Sequence, residues 1–430
     1  MSLRLKGGRL IDPASGRDEV ADLLIRDGRI VPDSAPQATD RVIDVSGLVV
    51  CPGLIDLRAR PREPGAEHKA TLESETAAAL AGGITMFCCP PDTDPPVDTP
   101  ATAQWMTDRA RALGGARVVP IGALTKGLGG TALADMAALK RVGCCGMSNG
   151  ALPVRDSRVL RHALEYAAGL GITVFLQPQD PWLADGGVAH EGEVATRLGL
   201  AGIPVTAETV TLARDLLLIE QTGVRAHIMG LSAAQSLMLL KDAQARGVAV
   251  TADTAAHQLH LTDENIGFFD TNCHVRPPLR SARDRAALRE AVRDGSLSVI
   301  CSDHQPHEAD AKQAAFSDSE PGISGLETLL ALSLRLVHEG VLPLSHALHR
   351  LTAGPAAVLG LTGHGLAAGH VADICVLDPA AEWVPSAQTL KSQGLNTPFL
   401  GQTLRGRAIL TVVGGEVRYT QRKLSGNAGA

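Results

Sequence analysis

Aromatic side chains are scarce in this sequence: Phe, Trp and Tyr together make up 3% of its 430 residues. The core must then be built mainly from Ala, Val, Leu and Ile. Long apolar runs are missing as well. None approaches the ~20 residues that cross a bilayer, and the opening MSLRLKGGRLID has no signal-peptide core, so a cytoplasmic protein without membrane contact is expected. There is no excess of positive charge. Forty Lys and Arg against 46 Asp and Glu give a net charge of −6, which offers nucleic acid no broad basic field. Cys-x-x-Cys spacing is absent among the eight cysteines, so they read as reduced, buried small hydrophobes. A metal site drawn from Cys88, Cys89, Cys144 and Cys145 is the sharper reading. Neighbours on a strand point to opposite faces, so at most one of each pair could contribute.

What is present is alternation. Residues 1–50 contain short β-type runs, RLKGGRLID, ADLLIRDGRI and RVIDVSGLVV, separated by Gly, Asp and Pro. ADICVLDP and RAILTVVGGEVRY repeat that style near the other end, and the two sets are expected to pair. Between them, short apolar strands alternate with amphipathic helices: GITMFCCP, ARVVPIGAL, GCCGMS, ITVFLQP, RAHIMGLS, VAVTADTAAH and LSVICSDHQPH are the strands after the first. About eight such units predict a (β/α)8 TIM barrel over 52–362, with a β-sandwich domain composed of 1–51 and 363–430. A doubly wound sheet is the alternative, but no Gly-x-Gly-x-x-Gly follows an early strand. Asp98 is expected to cap the helix that starts near Pro100, and Gly295 to end the helix AALREAVRD.

In a barrel the chemistry sits just beyond the C-terminal ends of the strands. The residues so placed are Arg58, Arg60, Asp92, Ser148, Asn149, Gln177, Gly230, His257 and Asp303. Asp56, Arg58 and Arg60 alternate and therefore share a face.

PGLID at the first strand, REPG at 62–65, GGIT at 82–85, TKGL at 125–128, EGEVATRLGLAGIP at 191–204, SDHQPH at 302–307 and GISGLET at 322–328 together resemble the bacterial class I dihydroorotases, nearly end to end. The resemblance implies an amidohydrolase barrel with a sandwich built from both termini. It also implies a zinc site that activates water for opening or closing a dihydropyrimidine ring. Position by position, that site is eroded here. The family's His-x-His is Arg58-Ala59-Arg60, and guanidinium has no lone pair for a metal. Its Ser-Asp-Asp-Gly is Ser148-Asn149-Gly150-Ala151, its His-Cys-Glu-Asp begins at Gln177, and the second histidine of His-x-x-His is Gly230. Asp303 and His307 survive. So does the substrate-binding arginine, Arg62, but two asparagines of the substrate site have become Asp92 and Arg276.

A retained scaffold without metal or other cofactor is thus expected. By resemblance to inactive homologues, its role is structural in pyrimidine biosynthesis: a homo-oligomer that partners aspartate carbamoyltransferase. An active cyclic amidohydrolase with an atypical site is the second reading, and a scaffold for other partners the third. Asp303 is expected to be held by Arg58 or Arg60. Arg58, Arg60, Arg62 and Arg276 either form an anion-binding mouth or are neutralised by Asp56, Asp92 and Asp303. The lone histidines His190 and His257 are expected to pack or hydrogen-bond.

Overall fold

The computed structural model describes residues 2–33 and 40–421. Residues 1, 34–39 and 422–430, which the sequence assigns to the terminal domain, lie outside the described residues.

Eight parallel strand positions form the barrel. They are Leu54–Asp56, Ile84–Cys89, Arg117–Pro120 continuing into Gly122–Ala123, Met147–Ser148, Val174–Leu176, Ala226–Ile228, Val250–Ala255 and Val299–Cys301. Ile121 carries the third strand across, its N–H bonding Cys89 O at 2.8 Å while that of Gly122 bonds Gly146 O at 2.9 Å. The ring closes just past the first and last strands, through a parallel bridge between Ala59 and His304. Ile55, Cys88, Ile121, Phe175 and Val299 meet in one buried cluster. Side chains from strands on all sides can meet only on the barrel axis, so the interior is packed rather than open.

Among the described residues the terminal sheet has eight strands and takes them from both ends of the chain. Val49–Pro52 lies at its centre, parallel to Ser2–Asp12 and antiparallel to Ile374–Trp383. Leu5, Leu10, Ile25, Val50, Ile374 and Leu410 bury together in a core separate from that of the barrel. The architecture is a TIM barrel with a β-sandwich, as the alternation predicts.

Local signals mostly hold. Gly295 ends the helix Ala282–Asp294 in the left-handed conformation, which glycine adopts without strain. The other cap differs: Thr99 precedes the helix Pro100–Leu113, and Asp98 instead accepts a bond from Gly127 N at 2.8 Å. Met136–Arg141 forms a short α-helix, with Asp135 as its cap.

Candidate functional site

The backbone carrying Arg58 and Arg60 is strapped on both sides. Ala59 N bonds Cys88 O at 3.0 Å, Arg60 N bonds His304 O at 3.0 Å, and His304 N returns to Arg58 O at 3.3 Å. The two arginines are thereby fixed at the rim where the first, second and eighth strands meet. Asp303 follows the eighth strand with φ +46°, a conformation Asp tolerates better than most residues.

Arg58 is fully buried. Its Nε lies 3.1 Å from Asp303 Oδ1, and its Nη2 lies 3.8 Å from Asp253 Oδ1 and 3.6 Å from Cys301 Sγ. Burial alone would lower its pKa, but Asp303, Cys301 and Asp253 outweigh that and raise it. Arg60 grips Asp92 in a fork, Nε to Oδ2 at 3.0 Å and Nη2 to Oδ2 at 2.9 Å, and reaches Asp303 at 3.5 Å. The expected pairing of Asp303 is thus present with both arginines. Burial opposes ionisation of Asp92 and Asp253, yet Arg60 and Arg58 respectively hold both below the usual carboxylate range.

Glycine makes room for this arrangement. A Cβ at Gly230 would lie 2.6 Å from Arg58 Nη1 and 2.7 Å from Nη2. The guanidinium occupies the space that a side chain at 230 would need. Gly150 does the same for Asp92: a Cβ there would meet its Oδ2 at 3.2 Å.

Arg62 has no carboxylate within ion-pair distance among the described residues. Its Nε donates to Pro306 O at 3.0 Å, and its Nη2 sits 3.1 Å from His307 Nε2. Burial, reinforced by the charge of Arg60, pushes it down to about 10. A small cavity of about 110 Å³ lies between Arg60, Arg62, Asp92 and Asp94. Arg276 is exposed and donates to Gly187 O at 3.3 Å, and it does not line this cavity. His307 lies between Arg62 and Lys69, the latter 3.3 Å from Nδ1; burial and these two cations push it down to about 3.

Of the remaining candidates, Asn149, His190 and Asp56 have structural partners. Asn149 accepts from Thr125 Oγ1 at 2.7 Å and donates to Leu128 O and Leu152 O at 3.0 and 2.9 Å, clamping its loop. Gln177 is half-buried after its strand. His257 is buried and pushed down to about 4 by desolvation, against the pull of Asp303. His190 lies 3.2 Å from Arg280 Nη1. Asp56 does not neutralise a guanidinium: Ser302 Oγ and Ser302 N donate to it, as does Arg58 N, and burial raises it to about 6. Cys88 and Cys145 approach to 3.7 Å, while Cys89 and Cys144 belong to a different cluster.

Asp253 escaped the sequence reading. It accepts from Gly230 N at 2.7 Å, pairs with His227 Nε2 at 3.0 Å and faces Arg58. It lies within a strand, four residues before the loop histidine that drew attention. His304 turns outward to Glu75, 2.7 Å away, and ties the rim to the first barrel helix, Leu72–Ala81.

Zinc needs donors with free lone pairs. The mouth offers guanidinium at 58 and 60, no side chain at 230, and the carboxylates of Asp92, Asp253 and Asp303, each already paired with an arginine. These residues do not fit the ion, and no group of three His, Cys, Asp or Glu that could hold a metal occurs among the described residues.

Comparison with known proteins places this geometry. The Amidohydrolase family model matches residues 191–418. An L-hydantoinase (dihydropyrimidinase) from Arthrobacter aurescens superimposes with a TM-score of 0.87 at 23% identity, covering 98% of this chain and 97% of its own, which speaks for the fold. More narrowly, the Dihydro-orotase-like model matches residues 47–236. A "Dihydroorotase-like protein" of Pseudomonas aeruginosa is 50% identical over 97% of this chain and 100% of its own length. One from Pseudomonas putida is 48% identical over 97% and 99%. A "Dihydroorotase" of Trichlorobacter lovleyi is 42% identical over 98% and 100%. The chain belongs to the dihydroorotase-like family of amidohydrolases.

Proposed function

We propose that this chain is a dihydroorotase-like subunit that has given up metal-dependent ring opening. It serves pyrimidine biosynthesis in the cytoplasm as a homo-oligomeric structural partner of aspartate carbamoyltransferase, without metal or other cofactor. The observation that carries the loss of chemistry is the seating of Arg58 against Gly230: the cation fills a side-chain position on the barrel rim and ion-pairs with Asp303. A carboxylate so engaged is poorly placed to take a proton from water. The assembly role rests on the resemblance and on the intact scaffold around the altered rim.

Metal content by mass spectrometry, after incubation with zinc and desalting, tests the first part. Less than about a tenth of an equivalent per chain is expected from this donor set. Co-purification with aspartate carbamoyltransferase, and transferase activity that depends on this chain, test the second. The competing reading is an active cyclic amidohydrolase interconverting N-carbamoyl-L-aspartate and dihydroorotate. It draws support from relatives 42–44% identical that bear the name dihydroorotase. A tightly held equivalent of zinc with dihydroorotate turnover would establish it in place of the first.

A further inference from the structure

The barrel mouth holds a cavity of about 110 Å³, but a larger one, about 470 Å³, opens elsewhere. It lies where the strand Arg117–Pro120 begins, at the N-terminal end of the barrel, away from the rim residues. Its walls come from two parts of the fold. Ala110, Val118 and Val142 belong to the barrel, and Val413 ends the strand Leu404–Val413 of the terminal sheet, just before the turn into Glu416–Thr420. Its volume lies within the range of about 300–1,000 Å³ that small-molecule sites occupy.

Three guanidinium groups, of Arg111, Arg117 and Arg418, line it against a single carboxylate, Glu416. Each arginine is anchored by one acid: Arg111 by Asp108 at 2.8 Å, Arg418 by Glu416 at 2.7 Å, and Arg117 by Asp373. Asp373 is itself fixed by Gly414 N at 2.8 Å. A guanidinium carries five N–H donors. Anchoring therefore orients these side chains without exhausting them. Gly114 lets Arg418 lie close, since a Cβ there would stand 2.9 Å from Nη1.

We propose that this cavity is a second binding site, for a small anion with a flat apolar body: an aromatic sulfonate, carboxylate or phosphate ester. The aliphatic walls take the ring, and the arginines take the acid group. Because barrel and terminal sheet both contribute, an occupant would tie the two together and raise the melting temperature by mass action. This inference is independent of the proposed loss of hydrolysis.

The test uses the full chain and two probes, 8-anilinonaphthalene-1-sulfonate and its uncharged analogue N-phenyl-1-naphthylamine. Fluorescence titration should show one saturable site for the sulfonate, with about tenfold or weaker affinity for the neutral probe, the worth of a charge-assisted bond. Arg418→Ala should weaken the sulfonate by a similar factor, and Val142→Trp should abolish binding by filling the wall. Melting without probe reports whether each variant is folded. Arg418 is partly exposed, so its variant keeps the test decisive if the Trp substitution fails to fold. Absence of a saturable site, or sulfonate binding unchanged in a folded Arg418→Ala, would overturn the proposal. The latter would assign the signal to exposed apolar residues such as Trp182 and Phe268.

Discussion

Gly230→Ala probes the rim most directly. Gly230 has φ +66°, so an added Cβ pays for left-handed strain, about 1–2 kcal/mol. It would also stand 2.6 Å from a guanidinium nitrogen that cannot retreat freely, because Arg58 is buried and paired with Asp303. Crowding of a packed interior costs about 1–3 kcal/mol. The sum, about 2–5 kcal/mol, should appear as a lower denaturation midpoint at unchanged slope. A double-mutant cycle separates the two parts. Arg58→Lys keeps the charge but removes both Nη atoms, so in that background Gly230→Ala should cost only the strain, about 1–2 kcal/mol. An equal cost in both backgrounds would mean that the guanidinium does not occupy the space of residue 230, and the argument for the altered rim would fall with it.

Other outcomes follow from the same geometry. His257 titrates near 4 in the fold and near 6.5 when unfolded, so acid favours the unfolded chain; stability should decline between about pH 6.5 and 4, by roughly 3 kcal/mol from this group. His257→Gln should flatten that part of a stability–pH curve, and an unchanged slope would refute the assignment. The depressed carboxylate of Asp92 works in the other range: its contribution is complete above about pH 4 and is lost below it. Asp92→Asn should therefore destabilise the protein at pH 7, by less than the about 3–5 kcal/mol that a wholly unpaired buried charge costs, because Arg60 keeps Asp303, with the difference from wild type shrinking in acid. Asn149→Ala removes three hydrogen bonds and should cost about 2–4 kcal/mol. Hydrogen exchange should then report faster opening of 125–130 and 149–152, and unchanged protection there would contradict the clamp.

The barrel was legible because each strand is a short apolar run followed by a polar turn and an amphipathic helix. The residue types at the rim were legible too, since Arg58, Arg60 and Gly230 stand at fixed places in short motifs. How they share the space between them was not. Gly230 reads in sequence only as a missing ligand; that it admits Arg58 depends on strand pairing and on the side chain's path across the barrel. Asp253 was hidden for a related reason. Its meaning comes from the sixth strand beside it, where His227 pairs in register with Thr251, two residues away. Arg276 and Asp56 mark the opposite error, residue types grouped by charge that the backbone sends to Gly187 and Ser302.

The central place of Val49–Pro52 in the terminal sheet bears on how the chain is made. One neighbour, Ser2–Asp12, leaves the ribosome before it; the other, Ile374–Trp383, follows roughly 320 residues later. At synthesis rates of about 5–20 residues per second, that strand waits on the order of 15–60 s with one edge unpaired. During the wait the whole barrel is synthesised beside an open β-edge, the kind of surface that recruits strands from neighbouring chains. Translation that stalls before Ile374 would leave that edge open, so for this fold the speed of elongation is itself a guard against aggregation.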